Sequence, residues 1–266
     1  MQETTTAYGL TFEIPPLDTT VGRYLRDYGE FARPGVELAA QLSRGGGFVD
    51  VGANIGAFAL PVASSAVQVV AIEAHPGLAR LLASNVARNG LANVQVVHAA
   101  ASDTTGIAQF PTAPLDQPLN YGAGGFRSAY PVEAVPMVTL DEVVPGNTAC
   151  VKIDVEGHEL RVLRGAARVL RSVRPAWLIE CPDTPESKEV MALMIAQHYV
   201  TYWFFTPFFT PLAPRNGGAE RIQGDINVLA IPAERPQPKG MYRAVPTSPR
   251  PSSVKDFPYL AQFGFV

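Results

Sequence analysis

From Phe48 onward, short β-branched runs alternate with segments of helical period, and that alternation leaves few folds open. The runs fall at Phe48–Val51, Val67–Ile72, Val94–His98, Cys150–Ile153 and Ala176–Glu180. Helical spacing falls between or after them, at Ile55–Ser64, Pro76–Asn89, Glu159–Arg171 and Pro185–His198. Near-continuous apolar runs separated by helices are strands of a parallel sheet covered on both faces. Pro76 and Pro185 suit a first helical turn, where a missing N–H costs nothing. The prediction is an α/β, doubly wound, mostly parallel sheet. Tyr199–Phe205 and Ile226–Ile231 read as two late strands around a Gly- and Pro-rich loop, an antiparallel edge.

Between Asp103 and Asp141 the alternation fails. That insert carries one short strand near Val135–Leu140 and a glycine-rich stretch, Tyr121–Tyr130, read as a mobile lid whose Arg127 recognises a polar acceptor. Three regions are expected: an N-terminal extension over 1–33 with a short helix around Tyr24, a main domain over 34–232 opening with a helix at Val36–Leu42, and a Pro-rich tail over 233–266. Much of the tail reads as extended or disordered, with Phe257, Tyr259, Phe263 and Phe265 available to pin it.

The bulk numbers narrow the function classes. The 266 residues are 47% hydrophobic and 17% charged, a globular composition that can bury a substantial core. A net charge of -3 and a pI near 5.8 argue against a nucleic-acid footprint. Cys150 and Cys181 lack zinc spacing and read as core residues. With no signal-peptide pattern and no apolar run of roughly 18 residues, a soluble cytoplasmic protein is expected. Oligomeric state is not legible.

The chemistry concentrates at the first strand end, D-V-G-A-N-I-G, Asp50 to Gly56. In an open parallel sheet, ligands sit beyond the carboxyl ends of the strands. A phosphate loop needs a lysine that is absent here, and a dinucleotide fingerprint needs glycine where Asn54 stands. An aspartate before the turn repels phosphate and attracts an ammonium or a sulfonium. S-adenosylmethionine carries both and no phosphate. Glu73, at the end of the second strand, can accept hydrogen bonds from both ribose hydroxyls, as an acid there also does for NAD. Asp103, after the third strand, is placed to reach an adenine amine. Bland alternatives are a helix N-terminus for Glu73 and edge positions for His75, His98 and His198.

With these residues placed, FVDVGANIGAF, VVAIEAHP, SNVARNG, HAAASD, VTLDEVV and VKIDVEGHELRVLRGA resemble, in order, the FkbM family of S-adenosylmethionine-dependent methyltransferases. The resemblance runs from about Gly29 to Pro232. It implies a class I methyltransferase fold, a Rossmann-like seven-stranded sheet with an antiparallel last strand. It implies methyl transfer to a hydroxyl of a sugar, polyketide or similar small metabolite. Cofactor contacts would come from Asp50, Gly52, Asn54, Gly56, Glu73 and Asp103, with Ala53, Ala74, Ser102 and Asp154 beside them.

The second constellation, VKIDVEGHE, follows the fourth strand. Topology brings Asp225 and Asn227 of the last strand toward Asp154 and Glu180. An alcohol needs a base, and the candidates are Asp154, Glu156 and His158, with His158 or Asp154 preferred. Glu156 or Glu159 could instead serve a helix N-terminus. The expected catalytic group is Asp154, His158 and Glu180. Asp154, Glu180 and Asp225 are oxygen ligands that magnesium accepts, or they bond substrate hydroxyls without a metal. A zinc protease helix is excluded, since Val162 stands where H-E-x-x-H needs histidine. The rival readings are a nicotinamide-dependent oxidoreductase and a cofactor-binding protein without turnover.

Overall fold

The computed structural model describes residues 3–126, 129–215, 217 and 221–265. A hairpin, β1 (Glu3–Ala7) and β2 (Leu10–Ile14), leads into α1 (Val21–Tyr28) and α2 (Arg33–Leu42). Then come β3 (Gly47–Val51), α3 (Ala59–Val62), β4 (Gln68–Glu73), α4 (Pro76–Arg88) and β5 (Val94–His98). The insert supplies β6 (Ala100–Ala101), β7 (Gly106–Pro111), β8 (Val132–Val138) and α5 (Leu140–Val143). The alternation resumes with β9 (Thr148–Ile153), α6 (Glu159–Arg164), β10 (Ala176–Glu180) and α7 (Pro185–Ala196), and β11 (Tyr199–Pro207) and β12 (Gly224–Pro232) close it.

The seven-stranded sheet runs β11-β12-β10-β9-β3-β4-β5. Its strands are parallel except β12, which is antiparallel to both neighbours. The expected antiparallel last strand is therefore present. Strand order reverses between β3 and β9, which puts a crevice above their carboxyl ends. Because side chains alternate, Phe48 and Cys150 face a core built with Phe12, Leu25, Leu60 and Leu82. Val49, Val151 and Ile153 face a second core with Val162, Leu163 and Met191. Both cysteines are buried and unpaired. None of the described helices is long and apolar enough to cross a membrane.

Several expected boundaries move. The apolar run 55–64 makes a helix only at α3, because Asn54 (φ 53°) and Gly56 (φ 89°) turn the backbone left-handed. The helix expected over 159–171 stops at Arg164, and a separate π-helical turn covers Val169–Val173. Residues 3–14 form a hairpin whose Phe12 and Ile14 are buried in the first core. The tail is anchored as its aromatics suggested. Phe257, Phe263 and Phe265 are buried, and the Tyr259 hydroxyl donates to Phe205 O and accepts from Phe205 N, both at 2.7 Å.

Candidate active site

At the end of β3 the chain folds back at Gly52 (φ 82°), whose N–H and that of Ala53 donate to Ile72 O at 2.9 and 3.0 Å. A Cβ on Gly52 would stand 1.8 Å from Asp154 O, so only glycine fits. Asn54 is left-handed, a conformation that asparagine tolerates. Its N–H donates to Glu73 Oε2 at 2.8 Å, while His75 N–H donates to Glu73 Oε1 at 2.7 Å. Glu73 thus ties two loops together. Burial pushes its carboxyl up to about 7, against the hydrogen bonds from His75 and Asn54. His75 caps α4, its Nδ1 accepting from Gly77 and Leu78 N–H.

One cavity runs along these strand ends. Gly52, Ala53, Asn54, Glu73, Ala74, Asp154 and His158 all line it. Gly56 turns inward instead, where a Cβ would stand 2.3 Å from Leu60. Asp50, Ser102, Asp103 and Glu180 do not reach the lining. Asp50 lies opposite Lys152 in the β3–β9 register and is fully buried, with Oδ1 3.5 Å from the ammonium. Neither Asp50 oxygen has a hydrogen bond among the described residues. Burial pushes it up to about 6, with Lys152 pulling the other way. Asp50 therefore does not guard the crevice directly; its charge is shared with a lysine beneath the floor.

Asp103 pairs with Arg161 at 3.5 Å, outside the cavity. Ser102 donates to Asp103 Oδ1 at 3.1 Å and stands 3.1 Å from His158 Nε2. The His158 ring lies 4.5 Å from that of Phe126. His158 thus belongs to the β5 side of the cavity.

At the opposite end the cavity meets Lys152, Asp154, Glu156, Asp225 and Asn227. Lys152 and Asp154 share a face of β9 by the two-residue period, with Nζ 3.0 Å from Oδ2. Burial by itself lowers the Lys152 pKa, but Asp154 and Asp50 outweigh it, so the ammonium persists. Glu180 sits behind, opposite Asn227 in the β10–β12 register. Burial, then Asp154 and Glu156, push Glu180 up; burial and Asp154 do the same to Asp225. Carboxyl oxygens of Asp154, Glu156 and Glu180 lie within 4.8 Å of one another. Of the expected metal set, Asp225 is replaced in this grouping by Glu156. The Lys152 ammonium already bonds Asp154 Oδ2 at 3.0 Å and would repel a divalent cation, so the grouping is a poor fit for magnesium.

The insert covers the cavity as a strap. Tyr121 is buried and its hydroxyl bonds Gln117 O at 2.6 Å; Asn120, Gly122 and Phe126 line the cavity. Arg127 lies outside the described residues. Sequence reading missed Lys152, Asn120 and Phe126. The lysine had a signal: a cation inside A-C-V-K-I, an otherwise buried strand, needs a carboxylate on the same face.

Residues 50–202, more than half of the chain, match the methyltransferase FkbM domain. Among solved structures the chain is similar to an FkbM methyltransferase from Methylobacillus flagellatus KT, at 17% identity and a TM-score of 0.45, covering 69% of this chain and 43% of that one. It is similar to precorrin-6y C5,15-methyltransferase from Geobacter metallireducens GS-15, at 13% identity and a TM-score of 0.49, covering 75% and 85%. M. jannaschii TYW2, solved with AdoMet, matches at 13% identity and a TM-score of 0.45, covering 86% and 85%. The chain thus spans less than half the length of the Methylobacillus protein. No protein of curated function matches the sequence. The strand order is that of the class I methyltransferases, and the chain belongs to the FkbM methyltransferase family.

Proposed function

We propose that this protein is an S-adenosylmethionine-dependent methyltransferase acting on a hydroxyl of a small molecule. The observation that carries this is one continuous cavity with a buried acid, Glu73, at one end and a carboxylate cluster at the other. The residues fit the cofactor. Glu73 spends one lone pair per oxygen on backbone donors and keeps capacity for a ribose diol. Ala53 and Ala74 leave room beside it. No phosphate cradle is present among the described residues of the turn. Bound there, the cofactor supplies an electrophilic methyl group. The protein's part is to hold the acceptor oxygen in line and remove its proton.

The test is calorimetry with S-adenosylhomocysteine and NAD. Wild type should bind the former and not the latter. Glu73→Ala should lose about 1.5–3 kcal/mol, roughly tenfold to a hundredfold in affinity. NAD binding at equal strength, or an unaltered affinity in the variant, defeats the reading. Methyl transfer to a panel of alcohols, followed by product mass, then separates oxygen from nitrogen or carbon as the acceptor atom.

A further inference from the structure

Glu156 stands among the base candidates of the sequence, with a helix cap as its alternative role. We propose that Glu156 is the general base of the methyl transfer, its carboxylate taking the proton of the acceptor hydroxyl. This rests on the reading of the cavity as a site for transfer to oxygen.

Backbone geometry singles the residue out. Glu156 has φ 54° and Gly157 has φ 86°, two successive left-handed residues. A non-glycine residue there costs about 1–2 kcal/mol, and such strain concentrates at functional sites. The turn is fixed from outside, since Glu159 Oε1 accepts from both Val155 and Gly157 N–H at 3.1 Å. Glu159 therefore performs the capping role, and Glu156 is left to face the cavity. No hydrogen bond or ion pair reaches the Glu156 carboxyl among the described residues. The strap closes over it, since a Cβ on Gly125 would stand 3.0 Å from Glu156 Cβ.

The other candidates are committed elsewhere. Asp154 holds the Lys152 ammonium. His158 Nε2 stands 3.1 Å from the Ser102 hydroxyl and its ring packs 4.5 Å from that of Phe126, on the β5 side of the cavity. Glu180 lies behind the lining. Asp225 lines the cavity, but as a regular strand residue paired with Thr206.

The charged groups around Glu156 are Asp154 and Lys152 from β9, Glu180 from β10, Asp225 from β12 and Glu159 from its own turn. Burial, then Asp154, Asp225 and Glu159, push its carboxyl up to about 8, with Lys152 opposing. A base is most effective with a pKa near the working pH. In the step, the acceptor oxygen bonds the transferred methyl carbon as its proton passes to Glu156, and the electron pair of the broken carbon–sulfur bond stays on sulfur. Glu156 then returns the proton to solvent.

The test compares wild type, Glu156→Gln, Glu156→Asp and Asp225→Asn. In infrared titration of the free protein, the difference between wild type and Glu156→Gln should show a protonated carboxyl component lost near pH 8, above the bands of Glu73, Glu180 and Asp225 that both forms share. S-adenosylhomocysteine affinity should stay within about twofold of wild type in Glu156→Gln. With an alcohol that wild type methylates, kcat should fall by about 10²–10⁴ with KM little changed, and the rise of rate with pH should flatten. Glu156→Asp should recover part of kcat and keep a pH profile. Absence of that difference component, a wild-type kcat in Glu156→Gln, or a loss confined to Asp225→Asn overturns the proposal. Failure of wild type to bind S-adenosylhomocysteine sinks the methyltransferase reading instead.

Discussion

The two ends of the cavity are held together by opposite means. At the β3–β5 end, the Glu73 carboxylate receives two backbone N–H groups and fixes the loops on which it lies. At the β9–β12 end, Asp154, Glu156, Glu180 and Asp225 crowd around one cation, Lys152. One end is a rigid shape with its polar groups satisfied. The other stores unbalanced negative charge, which protons or an incoming partner must offset. A site built this way separates holding a molecule from reacting with it.

Gly52 is where the two ends touch, so it breaks the contrast most severely. Gly52→Ala adds a Cβ at 1.8 Å from Asp154 O in a left-handed conformation. Moving that carbonyl displaces Asp154 from Lys152 and shifts the loop that reaches Glu73. The expected loss is about 3 kcal/mol of stability, read by urea unfolding, together with loss of S-adenosylhomocysteine binding. Gly146→Ala, at a site with nothing within 4 Å, is the control and should cost far less. Equal stability of the two variants would show that the ends are not joined there.

The charged end should also leave its mark on stability against pH. Unfolded, Glu156 titrates near its ordinary 4.5; folded, it keeps its proton up to about 8. Glu180 and Asp225 are raised in the same sense. Between these limits the folded chain binds more protons than the unfolded chain, so stability falls as pH rises through the window. Melting temperature should decline by a few degrees from about pH 5 to about pH 8, and Glu180→Gln should make the decline shallower. If the variant melts along the wild-type curve, the carboxylates are not in electrostatic contact.

The same division governs what the sequence could disclose. The ordered end announces itself locally: D-V-G-A-N-I-G and I-E-A-H-P carry their turn and hydrogen-bond chemistry within a few residues. The charged end depends on strand order, because Asp225 reaches Asp154 only once β12 runs antiparallel beside β10. Topology alone anticipated that meeting, and the Lys152–Asp154 pair was legible in the two-residue spacing of K-I-D, but the turn that presents Glu156 depends on Glu159 and on packing against Gly125. The N-terminal hairpin was lost for a different reason. Its turn is Tyr8–Gly9, both left-handed, and tyrosine at φ 54° is not a residue that turn rules favour. The buried Asn85 explains why the hairpin matters: it bonds Glu13 on β2 and Ile55 O on the turn after β3.

The smallest expected effect sharpens the contrast from the other side. The third strand's acid, Asp103, was expected to reach an adenine amine, yet it stands against Arg161 with its carboxyl outside the lining. Ion pairs this exposed contribute at most about 1 kcal/mol. Asp103→Asn should therefore leave S-adenosylhomocysteine affinity within about twofold and change melting by no more than a degree or two. Ser102→Ala separates the remaining roles, because Ser102 contacts His158 Nε2, and the ring does line the cavity. A modest affinity loss in Ser102→Ala with none in Asp103→Asn assigns that wall to the histidine. A large loss in Asp103→Asn alone would mean that the acid swings inward when the cofactor binds, and the β5 end would then be less rigid than its hydrogen bonds imply.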